Sequence, residues 1–92
     1  MFRTELGPDE AMIFPRQGDV ASFWMKNTPL SLDIIFIDAV GRIIHIAEGT
    51  TPFSEKTISS QGPAQYVLEL LAGTSRRLGI KPGDQVETSS IK

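Results

Sequence analysis

Two apolar segments separated by a short connection form the clearest pattern in the chain. Residues 32–38 and 42–48 are rich in Ile and Phe, and Ala39-Val40-Gly41 lies between them. A three-residue connection that ends in glycine is typical of a β-hairpin, because glycine adopts the left-handed conformation that this turn requires. The pattern therefore predicts a hairpin with its turn at Gly41.

Both faces of this hairpin are apolar. Since side chains alternate between the faces with a period of two, the turn sets the register of the two strands. The predicted pairs are Asp38–Arg42, Ile37–Ile43, Phe36–Ile44, Ile35–His45, Ile34–Ile46 and Asp33–Ala47. A half-exposed hairpin would be polar on one face, so we expect this one to be central and covered on both sides.

The rest of the chain predicts further short strands and one short helix. Strands are expected at 11–14, 20–25, 65–71 and 85–87, in addition to the two of the hairpin. A helix follows Gly73, with Thr74 or Ser75 as its N-cap and Gly79 at its end. Lys81-Pro82-Gly83-Asp84 has the residues of a type II turn, in which Asp84 bonds to the backbone.

The stretch 49–63 is rich in Thr, Ser, Gly and Pro, and it is predicted to be a long surface loop. Six short strands, one helix and no internal repeat indicate a mainly β fold, a sandwich or a partly open barrel. With 92 residues, the chain is expected to form one domain, 1–92.

Composition narrows the functional classes. Lys and Arg number 9 against 11 Asp and Glu, and the resulting net charge of −2 disfavours a nucleic-acid partner. The chain has no cysteine, and no apolar run reaches the roughly 20 residues that span a membrane. With one histidine and no thiolate, the sequence predicts neither a metal site nor a cofactor.

The run Phe23-Trp24-Met25-Lys26-Asn27-Thr28 is the most distinctive candidate for a binding site, and it includes the chain's only tryptophan. Alternation places Trp24 and Lys26 on one face, where a cation and an aromatic ring could bind an anionic or sugar-like ligand. The competing interpretation is that Asn27-Thr28-Pro29 only forms a turn.

Two carboxylates lie within apolar strands. Asp33 could pair with His45, diagonal to it in the predicted hairpin, as an oriented general base. Alternatively, its buried carboxylate bonds to backbone amides or to Lys26. Glu69 also needs a partner if it is buried, and Lys26 is the predicted one. Should Asp33, Glu69 and Lys26 converge, they would form a polar pocket or bind a cation.

Taken in order, several segments resemble one family, known as domain of unknown function 192. They are Met1-Phe2-Arg3, Leu6, 11–14, 23–28, 32–38, 41–43, 66–69, Ala72-Gly73, 78–80 and 83–86. The resemblance implies a small jelly-roll-like β-sandwich, often in proteins exported by bacteria or archaea, and it implies no established reaction, cofactor or substrate.

One departure from the family pattern bears on partners and location. The family's usual N-terminal strand is absent, and no signal peptide is visible, so an exported or periplasmic location is implied only by the resemblance. If these 92 residues are complete, we expect an exposed sheet edge and a tendency to form homodimers through it.

These observations favour a non-catalytic domain that binds a small ligand or has an accessory role. Its predicted ligand-binding residues are Trp24, Lys26, Asn27, Asp33 and Glu69, with the 49–63 loop as a cover. One alternative is a small hydrolase or carbohydrate-active enzyme that uses Asp33 or Glu69 as acid or base. A DNA-binding regulator, based on the turn and strand at 81–86, is disfavoured by the acidic charge.

Overall fold

Four antiparallel strands and one short helix make up the part of the chain that the computed structural model describes, residues 11–26 and 28–86. The elements are β1 (Ala11–Phe23), β2 (Leu32–Ile37), β3 (Ile43–Ala47), β4 (Ile58–Leu71) and α1 (Thr74–Leu78). The strands lie in the order β1-β4-β2-β3 in one sheet that is not closed into a barrel. The prediction of a mainly β fold with one short helix is confirmed.

Two neighbouring strands, β1 and β4, are longer than the sequence predicts. The predicted strands at 11–14 and 20–25 belong to a single strand that already ends at Phe23, and β4 begins at Ile58, where the sequence predicts a loop. Ser59 pairs with Ser22 and Ile58 with Phe23, so the loop prediction is wrong for 58–63. Strand propensity is low for Ser, Gln, Gly and Pro, and pairing with β1 overrides it.

The turn of the hairpin formed by β2 and β3 is confirmed, whereas its predicted register is wrong beyond the pair Ile37–Ile43. Gly41 donates its N–H to the carbonyl of Asp38 at 3.1 Å and has φ 85°. Ile37 pairs with Ile43 as predicted.

Beyond that pair the register shifts by one residue. The observed pairs are Phe36–His45, Ile35–Ile46 and Ile34–Ala47. Ile44 is the extra residue of a β-bulge, and a bulge moves every later side chain to the other face. A Cβ placed on Gly62 of β4 would lie 3.5 Å from Ile44 Cδ1, so the bulged side chain lies close to the β4 backbone.

The sheet has an apolar core on each side. We call the side towards which Ile34, Phe36 and Val67 point face A, and the side of Ile35 and Leu70 face B. Face A buries Met25, Leu32, Ile34, Phe36, Ala64 and Val67, and face B buries Ile35, Ile37, Ile43 and Leu70. All six residues of β2 are buried, which confirms that this strand is central and covered on both sides. Its hairpin partner β3 is an edge strand in the described part of the sheet, so the prediction that the whole hairpin is central is wrong for β3.

The helix and the turn after it follow the glycine pattern of the sequence. α1 ends at Gly79, which has φ 72°, as predicted. Its N-cap is Gly73, so the prediction of Thr74 or Ser75 at that position is wrong. In the predicted type II turn, Asp84 donates its N–H to the carbonyl of Lys81 at 3.1 Å, and Gly83 has φ 96°.

The last predicted strand, 85–87, is reduced to an isolated bridge between Gln85 and Arg42 within the described residues, and Glu87 lies outside them. Asp84 also accepts a hydrogen bond from Lys81 N–H at 3.0 Å, which confirms its predicted bond to the backbone.

None of the helices within 11–26 and 28–86 is long and apolar enough to cross a membrane.

Candidate functional site

Trp24 and Lys26 form an exposed pair directly after β1. The indole of Trp24 is 51% exposed, and Lys26 is exposed beside it. The ammonium Nζ of Lys26 lies 5.2 Å from the centroid of the Trp24 ring, within the range of a cation–π interaction. The structure thus places the cation and the ring together, as the alternation of side chains predicts.

The residue between them fixes this pair to the core. Met25 is fully buried and packs on face A. Its N–H donates to the carbonyl of Ser54 at 3.0 Å, and its own carbonyl accepts from Thr28 N–H at 3.0 Å. Because side chains alternate along this extended segment, the burial of Met25 directs the side chains of Trp24 and Lys26 towards solvent. Asn27, the next predicted site residue, lies outside the described residues.

Asp33 lies on face B and has four hydrogen-bond donors within the protein. Its Oδ1 accepts from Gly49 N–H at 2.9 Å. Its Oδ2 accepts from Gly73 N–H at 3.1 Å, from Ser75 N–H at 3.0 Å and from Ser75 Oγ at 2.8 Å. This confirms the interpretation of Asp33 as a buried carboxylate bonded to backbone amides.

These bonds also account for the start of α1. Gly73 has no side chain that could cap the helix, and the carboxylate of Asp33 bonds to the amides at its first turn instead. A negative charge is stabilised there by the free N–H groups and the helix dipole. Asp33 therefore connects β2 to both the segment after β3 and the helix. Gly49, Gly73 and Ser75 are its partners, and no short-range sequence pattern identifies them.

His45 does not pair with Asp33, so the general-base interpretation is wrong. The bulge at Ile44 places His45 opposite Phe36, on face A, and the two rings stack with centroids 6.0 Å apart at 10°. Asp33 lies on face B. The sheet separates the two side chains.

Glu69 lies on face A, because it alternates with Leu70 along β4. Its neighbours across the sheet are Ile34 of β2 and Met12 of β1. The side chain is buried, and its Oε2 accepts no hydrogen bond from any residue of the described ranges. This burial raises the pKa of Glu69 to about 7. Lys26, its predicted partner, is exposed and lies over Trp24 instead.

The predicted site therefore divides between the two faces. Asp33 pairs across the strands with Leu70, and Glu69 pairs with Ile34, so the two carboxylates point to opposite sides of the sheet. A paired-carboxylate mechanism requires both groups in one cleft, and this geometry gives it no support. The described residues also contain no group of three His, Asp or Glu side chains placed to bind a metal.

One exposed residue near this segment is missed by sequence reasoning. Phe53 is 61% exposed and has φ 60°, a conformation that bulky residues rarely adopt. Its N–H donates to the carbonyl of Thr28 at 3.0 Å, which fixes it beside the segment of Trp24 and Lys26. The available signal was Thr51-Pro52-Phe53-Ser54, a turn sequence without the usual glycine after proline.

Solved structures of two bacterial proteins are similar to this chain. A protein of unknown function from Novosphingobium aromaticivorans DSM 12444 is 51% identical with a TM-score of 0.88; the match covers 95% of this chain and 63% of that protein. A protein from Sinorhizobium meliloti 1021, named as a candidate transcription regulator, is 46% identical with a TM-score of 0.86 over 92% of this chain and 67% of that one. The chain thus spans less than two thirds of the Novosphingobium protein.

A search of the curated proteins finds no match. The model of the family described as Uncharacterized ACR, domain of unknown function 192, matches residues 1–88. This match covers nearly the whole chain and includes β1 to β4, the helix and the Trp24–Lys26 segment. The chain belongs to that family.

Proposed function

We propose that this chain is a non-catalytic domain that binds a small anionic or sugar-like ligand at Trp24 and Lys26. The observation that carries the proposal is the position of the Lys26 ammonium, 5.2 Å from the centroid of a half-exposed indole ring. An exposed tryptophan offers a large apolar face with a polar N–H, and residues of this kind are common in binding sites. Asn27, next to Lys26 in sequence, belongs to the proposed ligand contacts as well.

Glu69 is 2% exposed and lies on the face whose core includes Met25, whereas Trp24 and Lys26 point outward, so Glu69 is left out of the proposed ligand contacts. Below about pH 7 its buried carboxyl is protonated, so it can donate a hydrogen bond as well as accept one. Its Oε2 accepts no hydrogen bond from the described residues. Asp33 is left out of the ligand contacts, since both of its oxygens already accept hydrogen bonds from the protein.

Calorimetric titration with three probes tests this proposal: a galacturonic acid trisaccharide, the neutral sugar maltotriose and inorganic phosphate. We expect the wild-type chain to bind at least one acidic probe. Removal of the ammonium in Lys26→Ala should weaken binding by about tenfold, the value of one exposed charged contact of about 1.4 kcal/mol. Lys81→Ala removes an exposed lysine from the turn at 81–84 and is the matched control. Equal affinities in all three proteins, or no binding to any probe, would contradict the proposal.

A DNA-binding regulator is the second candidate. It is favoured by the name of the Sinorhizobium meliloti relative and by the exposed turn at Lys81-Pro82-Gly83-Asp84. The net charge of −2 acts against it, because phosphate contacts from Lys and Arg supply most non-specific DNA affinity. An electrophoretic mobility shift with random duplex DNA at low and moderate salt separates the two candidates. A shift that weakens with salt would support the regulator.

The proposal has three finer parts: a jelly-roll arrangement and export, which the family resemblance implies, and a homodimer through an exposed sheet edge. Among the described residues β3 is an edge strand. The segment from Gly83 to Val86 bonds to the backbone at the beginning of β3, at Gly41 and Ile43. An unpaired edge is a template for pairing with a second copy. Analytical ultracentrifugation over a wide concentration range tests the dimer, and a strictly monomeric chain would exclude it.

A further inference from the structure

The exposed phenylalanine at position 53 has an unfavourable backbone conformation that packing does not explain. Residues 51–54 form a β-turn in which Ser54 donates its N–H to the carbonyl of Thr51 at 3.3 Å. Pro52 occupies the second position and Phe53 the third, with φ 60°. The third position of such a turn is usually Gly or Asn, because a Cβ collides with the backbone when φ is positive.

A second turn of the same chain shows the usual solution. In Lys81-Pro82-Gly83-Asp84 the third residue is glycine, with φ 96°. Phe53 adopts the corresponding conformation with a large ring that remains 61% exposed. Burial of the ring therefore does not compensate for the strain. Strained residues of this kind persist where the surrounding structure determines them, and they cluster at ligand sites.

Two backbone hydrogen bonds place Phe53 next to the Trp24–Lys26 pair. Phe53 N–H donates to the carbonyl of Thr28, and Met25 N–H donates to the carbonyl of Ser54, both at 3.0 Å. The turn at 51–54 is therefore bonded to the segment that presents the indole and the ammonium. Residues on adjacent, hydrogen-bonded segments lie about 5–8 Å apart, within the reach of long and aromatic side chains.

We propose that Phe53 is a ligand-binding residue and that the site formed by Trp24, Lys26 and Phe53 takes an acidic saccharide. This inference rests on the proposed function and specifies its ligand class. The ammonium of Lys26 pairs with a carboxylate of the sugar, and the apolar C–H face of the sugar ring packs against the aromatic rings. Two apolar ring faces and one cation match a ligand that has both an apolar ring face and an anionic group. The exposed Lys56, three residues after Phe53, adds positive charge, and the exposed Glu55 opposes it.

Substitution by glycine at two positions of positive φ distinguishes the effect of the Phe53 ring from the effect of backbone strain. Phe53→Gly removes the ring and also relieves the positive φ. Gln61→Gly is the matched control, because Gln61 is an exposed residue with φ 63° that lies in β4 and carries no ring. We expect both variants to melt at the wild-type temperature or a few degrees above it, since glycine at a positive φ has little steric cost. A few degrees of lowering in Phe53→Gly would mean that the ring stabilises the fold, and that result would overturn the inference.

The binding readout is the dissociation constant for the galacturonic acid trisaccharide, measured by calorimetry with maltotriose as the uncharged comparison. Phe53→Gly should weaken binding of the acidic trisaccharide by about tenfold, the range expected for one aromatic contact, and Gln61→Gly by less than about twofold.

Wild-type affinity in Phe53→Gly, with loss in Lys26→Ala, would overturn the inference and leave the proposed function standing. If phosphate binds and the trisaccharide does not, the saccharide assignment fails while the Lys26 site stands. If the wild-type chain binds none of the probes, both proposals fail.

Discussion

Asp33 and Glu69 are both buried carboxylates on neighbouring strands, and the protein treats them in opposite ways. Asp33 accepts four hydrogen bonds, from Gly49, Gly73 and Ser75. Glu69 leaves Oε2 without a donor from the described residues, and its pKa rises to about 7. The comparison shows that burial alone does not define the role of a carboxylate. Its role depends on whether the fold places hydrogen-bond donors, such as backbone amides, next to it.

The difference follows from the position of each residue in the sheet. Asp33 lies near the beginning of the central strand β2, where the segment after β3 and the helix N-terminus come within reach. Glu69 lies between Met12 and Ile34, in a row of apolar side chains on face A. On face B, the Asp33 carboxylate therefore connects several segments through its hydrogen bonds. On face A, the Oε2 of Glu69 is buried in the apolar core and has no hydrogen-bond donor from the described residues. The following predictions test this contrast, from the largest expected effect to the smallest.

Asp33→Ala should have the largest effect. Four donors would lose their acceptor, and three of them are in or next to the first turn of α1. Because unsatisfied buried donors are costly, we expect the free energy of unfolding to fall by about 3–5 kcal/mol. Urea denaturation at pH 7 measures this change. A loss below about 1 kcal/mol would show that these bonds contribute little net stability.

Glu69 should make the stability depend on pH in the opposite sense to a salt-bridged carboxylate. Its pKa is 4.5 in its ordinary state and about 7 in the folded protein, so between these values the folded state binds more protons than the unfolded state. The contribution of Glu69 protonation to the free energy of unfolding is therefore complete below about pH 4.5 and is lost as the pH rises through 7. The difference in pKa corresponds to about 3 kcal/mol.

Glu69→Gln removes the titrating group and is the variant that isolates this effect. Its free energy of unfolding, measured by urea denaturation from pH 4.5 to 8.5, should exceed that of the wild-type chain increasingly as the pH rises. The gap should grow by up to about 3 kcal/mol by pH 8.5. Parallel curves for the two proteins, or a gap of opposite sign, would show that ionised Glu69 has a partner in the folded chain.

Ser75→Ala tests one bond of the Asp33 network. The substitution removes the hydroxyl that donates at 2.8 Å and leaves the three backbone donors in place. We expect a loss of about 1–2 kcal/mol in urea denaturation, the usual value of one hydrogen bond to a charged group. Ser22→Ala, at an exposed position of β1, is the control and should change stability by less than about 0.5 kcal/mol. A Ser75→Ala loss as small as the control would mean that the hydroxyl adds nothing to the backbone donors.

Lys26→Ala should have the smallest effect on stability. The ammonium is exposed and contacts only the Trp24 ring among the interactions seen for the described residues, so we expect a loss of about 0.5–1 kcal/mol. If Lys26 instead neutralised a buried carboxylate, its removal would cost about 3–5 kcal/mol. Thermal and urea unfolding of Lys26→Ala beside Lys81→Ala distinguish these values.

The features that could be predicted from the sequence are those determined locally. Gly41, Gly79 and Gly83 adopt the positive φ that their turns and helix end require, and each lies where the pattern places it. The presence of apolar residues at consecutive positions, and so on both faces of the strand, also identified β2 as buried on both sides. In the candidate site, the same period placed Lys26 beside Trp24.

The features that could not be predicted depend on residues far apart in the sequence. The bulged residue Ile44 lies near Gly62 of β4, far away in the sequence, and the bulge moves His45 from face B to face A. The beginning of β4 depends on pairing with β1 despite weak propensity. Asp33 receives two of its four donors from Ser75, 42 residues away, so no local pattern indicates them.

The single indole N–H signal in a two-dimensional ¹H–¹⁵N spectrum provides the most direct test of the proposed site, because the chain has one tryptophan. We predict that addition of the galacturonic acid trisaccharide shifts this signal in a saturable way in the wild-type chain and in Lys81→Ala. In Lys26→Ala the shift should require about tenfold more ligand. An indole signal that stays unchanged while other amides of the protein respond to the ligand would place the binding site elsewhere and contradict the account.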